Sequence, residues 1–499
     1  MSDRRPAAVR EARLLGRQAE RAMTRASDAP LLRGNQAELL VDGTQAFPRW
    51  IGEIENAERW IHLENYILRD DRTGRMFRTL LCDKAREGVR VRVLYDWLGC
   101  WATPPSFWKP FRAAGVEVRA FAPPRLRTPL AVLRRDHRKA LIVDGRYGSV
   151  AGLCIGDEWA GDPLRGQLPW RDTAVEFRGP AVAAVNEAFA QTWALAGPPL
   201  PPEERLRPED VPVAGPVGVR VIAGEPGRSR VYRLTQLVTV GVARRLWITD
   251  PYFVAPPAMV EALAAAARDG VDVRIIVPAF NNWPIVGGMS RAGYRPLLEA
   301  GVRLFEWEGP MIHAKTAVAD GLWSRVGSSN LNLASLLANW ELDVVIVDPD
   351  FGAAMEALFV EDLRSCVEVT LRRQAGSQRF VERLPVAADA PALERARWRR
   401  RHSSRGSRLG RAVGRLSRAG SVLLRALLGH RDITAEDRGW IAALGGLLML
   451  AGAVGALVPG LLAYPLAFLL FWFGVASLVW AWRGPREPAS PVTQCSDRT

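Results

Sequence analysis

The sequence predicts an α/β protein built from two copies of one helix-covered sheet, packed as a pseudo-dimer, with a transmembrane helical hairpin at its C-terminal end. Three observations carry this. One strand–helix–strand pattern is written twice. In each copy it reaches the same short motif, H-x-K-x4-D. Near the end, two long charge-free segments are separated only by Pro459-Gly460.

Taken in chain order, residues 1–34 form a basic N-terminal arm, read as a short helix or a disordered tail. It lacks the apolar run of a secretory signal. Residues 35–200 form the first repeat. The strand-like run RWIHLENYIL (59–68) leads through a helical stretch to EGVRVRVLYD (87–96), then to FRAAGVEVRAF (111–121), the histidine motif and the strand AVEF (174–177). Residues 216–375 repeat the pattern with RLWITDPYFV (245–254), DGVDVRIIVP (269–278), LLEAGVRLFEW (297–307), the second motif and DVVIV (343–347). Strands alternating with helices imply βαβ units in a parallel or mixed sheet. The first copy is longer: 22 residues separate Gly115 from His137, against 12 from Gly301 to His313. The extra piece, RLRTPLAVLRR (125–135), reads as a lid, a headgroup contact or a plain surface loop.

The net charge of +14 is local. Twelve arginines and no acid lie between Arg395 and Arg431, so the rest of the chain is nearly neutral, and no general nucleic-acid surface is expected. The segment 392–438 reads equally as an Arg-rich linker or as a helix on anionic headgroups. Within 440–482, charge-free stretches of 19 and 22 residues would span about 28 and 33 Å as helices, enough for a bilayer core. Arginines flank both outer ends and none occupies the turn, so the hairpin is expected to hold the catalytic region in the cytoplasm, with a tail at 483–499. A re-entrant pair and a buried soluble hairpin are the other readings. Five scattered cysteines without a C-x-x-C pair argue against disulfides and structural zinc.

The chain has only four lysines and five histidines, yet each motif uses one of both: His137, Lys139 and Asp144, then His313, Lys315 and Asp320. Histidine and lysine two apart on a strand point to one face. Brought together, the copies supply two imidazoles and two ammonium groups, suited to nucleophilic and acid–base work on an anionic substrate. Each aspartate is followed by glycine and opens a turn, so holding that turn is favoured over chemistry. Ser328 and Asn330 follow the second motif and can bind phosphate oxygens. No carboxylate cluster suggests a metal. Trp97, Trp101, Trp108 and Trp283 follow core strands and are candidates to touch substrate or bilayer.

The doubled motif, with HLENYI (62–67), WRD (170–172), PYFV (251–254) and SSNLN (328–332), resembles the phospholipase D superfamily and within it bacterial cardiolipin synthases, over roughly residues 35–370. The resemblance implies two phospholipase D-like α-β-α sandwich repeats. It also implies a phosphohistidine mechanism needing neither metal nor cofactor: one histidine as nucleophile and the other as acid and base, Lys139, Lys315, Ser328 and Asn330 on the phosphoryl oxygens, and Asp172 and Glu341 orienting the imidazoles. The two copies are nearly interchangeable, and His137 is preferred as nucleophile with His313 as acid and base. The implied partners are the membrane and phospholipid substrates, phosphatidylglycerol first. The implied location is a bacterial inner membrane, and the implied activity is phosphatidyl transfer. Hydrolysis to phosphatidic acid is the alternative, followed by a metal-independent nuclease or a decayed lipid-binding scaffold. Two departures stand out. The hairpin is C-terminal, and Cys154 occupies the position where the family's first copy has an asparagine.

Overall fold

A computed structural model describes residues 5–124, 134–373 and 379–385, together with isolated positions after 448. The predicted hairpin, the Arg-rich segment and most of the 125–135 insertion lie outside the described residues. Among those described, no helix is long and apolar enough to cross a membrane. The chain divides into two compact units, residues 1–123 with 134–421 and residues 124–133 with 422–499, and the described elements belong to the first.

The first half runs through α1 (Arg5–Ser27), β1 (Leu32–Val41), α2 (Asp42–Glu55), β2 (Trp60–Asn65), α3 (Arg72–Arg86), β3 (Arg90–Asp96), α4 (Lys109–Ala113) and β4 (Glu117–Phe121). It continues with β5 (Arg135–Asp136), β6 (Lys139–Val143), β7 (Tyr147–Ala151), α5 (Asp157–Ala160), β8 (Thr173–Arg178) and α6 (Ala181–Ala196). The second half runs through β9 (Val217–Gly224), α7 (Arg230–Gly241), β10 (Arg245–Thr249), α8 (Pro257–Arg268), β11 (Asp272–Pro278), α9 (Pro284–Ala292), α10 (Tyr294–Glu299) and β12 (Arg303–Trp307). It ends with β13 (Thr316–Ala319), β14 (Trp323–Gly327), α11 (Leu333–Leu337), β15 (Asn339–Val347), α12 (Pro349–Leu363), β16 (Cys366–Arg373) and β17 (Arg379–Pro385).

Strand pairing makes the duplication explicit. The first sheet has the order β4-β3-β2-β6-β7-β8-β1. The second has β12-β11-β10-β13-β14-β15-β9, extended past β12 by β16 and β17. In each, three strands are parallel and joined by helices, as parallel neighbours require, and the rest are antiparallel. β1 pairs antiparallel with β9, its own counterpart, so the two sheets meet edge to edge as equivalent surfaces do about a twofold axis.

Helices α6 and α12 place Val185, Phe189, Trp193, Phe351, Met355 and Phe359 in one core that takes side chains from both sheets. A second core lies beneath α2, α3 and α4 and a third beneath α7, α8 and α10. Each sheet is therefore covered on both faces, and the shared core holds the repeats as one body.

The N-terminal arm is not a free tail. α1 ends on the second repeat, where Arg220, buried on β9, pairs with Glu20 at 2.6 Å and bonds Thr24 at 3.1 Å. A buried guanidinium needs such partners, and this one recruits the arm to supply them. The first sheet also begins earlier than residue 35, with β1 starting at Leu32.

Candidate active site

β6 and β13 are central strands, and each histidine sits just ahead of one of them. The segments that carry the histidines cross between repeats. Arg135 and Asp136 pair with Asn339 and Trp340, and the His137 amide donates to Trp340 O at 2.8 Å. Ile312 bridges to Arg171, and the His313 amide donates to Arg171 O at 2.7 Å. The residue after each of these partners is an acid. His137 Nδ1 lies 2.9 Å from Glu341 Oε2, and His313 Nδ1 lies 2.7 Å from Asp172 Oδ2. A carboxylate accepts, so each Nδ1 donates and each Nε2 is left for chemistry. Each imidazole is thus oriented by the acid of the opposite repeat.

The two histidines, the two acids, Lys139 and Lys315 are all buried. Burial, and then Lys315, push His313 down to about 3. Burial also lowers His137, against the pull of Glu341. For Asp172 and Glu341 burial alone would raise the carboxyl. The paired histidine, the nearby lysine and a hydrogen bond, from the Thr173 amide to Asp172 and from the Ser328 hydroxyl to Glu341, together outweigh it, and both stay below the ordinary range. Burial pushes Lys315 down to about 8. Lys139 donates to His137 O and Lys315 to His313 O. Lys315 Nζ also lies 2.9 Å from both ring nitrogens of His313, whereas Nε2 of His137 meets no described protein partner.

Asp144 and Asp320 stand apart from the imidazoles. Asp144 accepts from the amides of Glu58, Arg59 and Trp60, each at 2.8 Å; Asp320 accepts from those of Ala243, Arg244 and Arg245, each at 2.9 Å. Both have φ 52°, and the glycines after them have φ 71° and 68°, the backbone of a tight hairpin turn. The aspartate of each motif therefore closes a turn and tethers the neighbouring strand, and neither belongs among catalytic groups. Ser328 is also reassigned. Its hydroxyl donates to Glu341 Oε2 at 2.5 Å and accepts from the Leu342 amide, so it positions the acid rather than facing phosphate. Asn330 is buried with Oδ1 unpartnered. Cys154 is fully buried, and burial pushes its thiol upward.

Several groups escaped sequence reasoning. Ser335 and Asn339 donate to Glu341 Oε1 at 2.7 and 2.9 Å, and Trp159 Nε1 donates to Asp172 Oδ2 at 3.0 Å. Tyr66 meets His137 edge-on at 4.8 Å and Tyr252 meets His313 at 5.8 Å. Both tyrosines lie at corresponding strand ends, in HLENYI and PYFV, and that correspondence was the signal available. Of the four tryptophans singled out, Trp108 is core, stacked on Tyr95 at 3.9 Å, while Trp101 and Trp283 are exposed.

The assembled site offers one imidazole with an unobstructed Nε2, a second imidazole beside an ammonium group, and amide and ammonium donors for an anionic centre. That set can carry a phosphoryl group on nitrogen and move one proton to and from an alcohol.

Comparison with known proteins agrees with this chemistry. The family described as "Cardiolipin synthase, PLD-like domain" matches residues 242–363. The cardiolipin synthase of Geobacillus sp. (strain WCH70) is 36% identical over 366 residues, 72% of this chain and 72% of that protein. Cardiolipin synthase A of Pseudomonas putida (strain W619) is 36% identical over 352 residues, 70% of this chain and 73% of that one. The crystal structure of phosphatidylserine synthase from Haemophilus influenzae Rd KW20 shares the fold. Its TM-score is 0.55 at 16% identity, covering 78% of this chain and 98% of that chain.

Proposed function

The chain belongs to the cardiolipin synthases of the phospholipase D superfamily, and from that premise we propose that it moves a phosphatidyl group from one phosphatidylglycerol to a second. His137 Nε2 attacks phosphorus, and the bond to the first glycerol oxygen breaks as His313 Nε2 passes to it a proton drawn from Lys315 Nζ, 2.9 Å away. The hydroxyl of the second phosphatidylglycerol then gives its proton to His313 and attacks phosphorus, and the phosphorus–nitrogen bond breaks. Cardiolipin and glycerol leave. Lys139, Lys315 and Asn330 hold the phosphoryl oxygens through both steps.

The observation that carries this reading is the reciprocal pairing of His137 with Glu341 and His313 with Asp172, which builds one site from two repeats. The choice of His137 as nucleophile rests on its unobstructed Nε2; that of His313 is 2.9 Å from Lys315. We assign the charge-free segments of 440–482 to a membrane hairpin with both ends and the catalytic region in the cytoplasm. Residues 35–200 and 216–375 are assigned to the two repeats, and 392–438 to the membrane-proximal basic segment.

The test is product analysis with the purified full chain in phosphatidylglycerol vesicles. Glycerol and a four-chain lipid are expected. Phosphatidic acid as the main product would favour hydrolysis, since water can take the acceptor's place on the same intermediate. No lipid product at all would overturn the proposal.

A further inference from the structure

Transfer between two phosphatidylglycerols brings two phosphodiester anions to one site, but only one of them reacts. The paired motifs account for the reacting phosphate. A separate feature suits the other. A cavity of about 410 Å³ lies at the junction of α1 and the start of α7, lined by Arg25, Asp28, Arg228, Ser229, Arg230 and Arg233. Arg230 is neutralised by Asp28 at 2.8 Å and Glu225 at 2.9 Å. Arg228 has only a 3.7 Å approach to Glu225, and Arg25 and Arg233 meet no carboxylate among the described residues. Among the described residues, its four guanidinium groups therefore face only the carboxylates of Asp28 and Glu225, and the cavity carries surplus positive charge.

Its position links it to the chemistry. Arg228, Ser229 and Arg230 also line the adjoining pocket, which is walled by Asn330, Ser335 and Glu341. Asn330 Oδ1 is buried there without a partner. The equivalent place in the first repeat is closed. Where β9 runs into arginines, β1 runs into Asp42 and Gly43, and Arg171 fills the region with pairs to Asp42 at 3.2 Å and Asp362 at 2.8 Å. Only one of the two related positions is open and cationic.

We propose that this arginine-lined cavity is the acceptor subsite, holding the non-reacting phosphodiester of the second phosphatidylglycerol while its free glycerol hydroxyl reaches the phosphohistidine. The inference rests on the two-phospholipid reading above and specifies how the acceptor is recognised. Guanidinium groups suit the task because they bind phosphate through paired hydrogen bonds.

The experiment uses the full chain carrying Arg228→Glu and Arg233→Glu, both at exposed positions, in detergent micelles that contain phosphatidylglycerol as donor. Transfer to ethanol, an acceptor without phosphate, should stay within about twofold of wild type, while the KM for phosphatidylglycerol as acceptor should rise about tenfold or more. Equal loss with both acceptors, or no change with either, overturns the proposal. So does a defect seen on anionic vesicles but absent in micelles, which would make the arginines a bilayer contact. A wild-type chain that transfers to ethanol but never forms a four-chain lipid sinks the two-phospholipid reading itself, an outcome visible before any variant is made.

Discussion

The two acids that orient the imidazoles come from equivalent places in the two repeats, yet they are held in opposite ways. Asp172 sits among aromatic rings. Trp159 Nε1 donates to it, and Trp159 and Trp170 lie 5.7 and 5.8 Å from the ring of His313. Gly152 leaves room for it, since a Cβ there would collide with Asp172 Oδ1. Glu341 sits among small polar groups and takes hydrogen bonds from Ser328, Ser335 and Asn339. Pairing across β7–β8 and β14–β15 makes Gly152 the counterpart of Ser328, and Cys154 that of Asn330. Duplication has kept the reacting atoms and changed what surrounds them. The His313 side is apolar and closed; the His137 side is polar and opens toward the arginine-lined cavity.

The strongest way to break this comparison is to remove each histidine. His137→Ala and His313→Ala should each lower transfer by about 10⁵-fold, because groups acting as a unit fail together. Trapping the covalent lipid adduct separates their roles: it should be lost in His137→Ala, and an adduct on His313 in that variant would reverse the assignment. Next come the acids. Glu341→Gln and Asp172→Asn should each cost about 10²- to 10⁴-fold in kcat by releasing the tautomer of the opposite repeat's histidine. Burst kinetics should show Glu341→Gln slowing adduct formation.

The amide asymmetry should be visible as well. Asn330→Ala is expected to lose about 10²-fold, while Cys154→Ala stays within about threefold because a buried neutral thiol offers no comparable donor. Steady-state rates of both variants decide this. A smaller effect comes from pH. Lys315, pushed down to about 8, is charged below that value and loses its proton as pH rises through it. The rate should therefore hold on the acid side and fall by about tenfold per pH unit above it. Lys315→Arg, whatever its absolute rate, should remove that limb. Smallest are the packing changes. Gly152→Ser should destabilise by about 1–3 kcal/mol through overpacking against Asp172, and Ser328→Gly by about 1 kcal/mol through a lost hydrogen bond. Both can be read from denaturant midpoints.

Much of the site was legible because it is local and doubled. Histidine and lysine two residues apart at a strand entrance share a face, and Asp-Gly after an apolar run makes a turn. Both features depend only on neighbours in sequence. Asp172 and Glu341 were found as acids ahead of corresponding strands. Which histidine each one serves was not legible, and neither were Ser335, Asn339 and Trp159, whose roles exist only because distant segments converge. Ser328 was misassigned for the same reason: a hydroxyl beside a motif looks free to bind phosphate until the carboxylate that occupies it is located.

By itself the sequence determined the α/β repeats, the succession of strands along the chain up to each motif, and the identity of the imidazole and ammonium groups, since alternation and turn chemistry are encoded within a few residues. Tertiary structure decided the exchange. His137 meets an acid 204 residues away and His313 one 141 residues away, because β1 and β9 join the sheets edge to edge and bring each histidine segment against the opposite repeat. No local period specifies such a pairing; it follows from burying a core shared by both repeats.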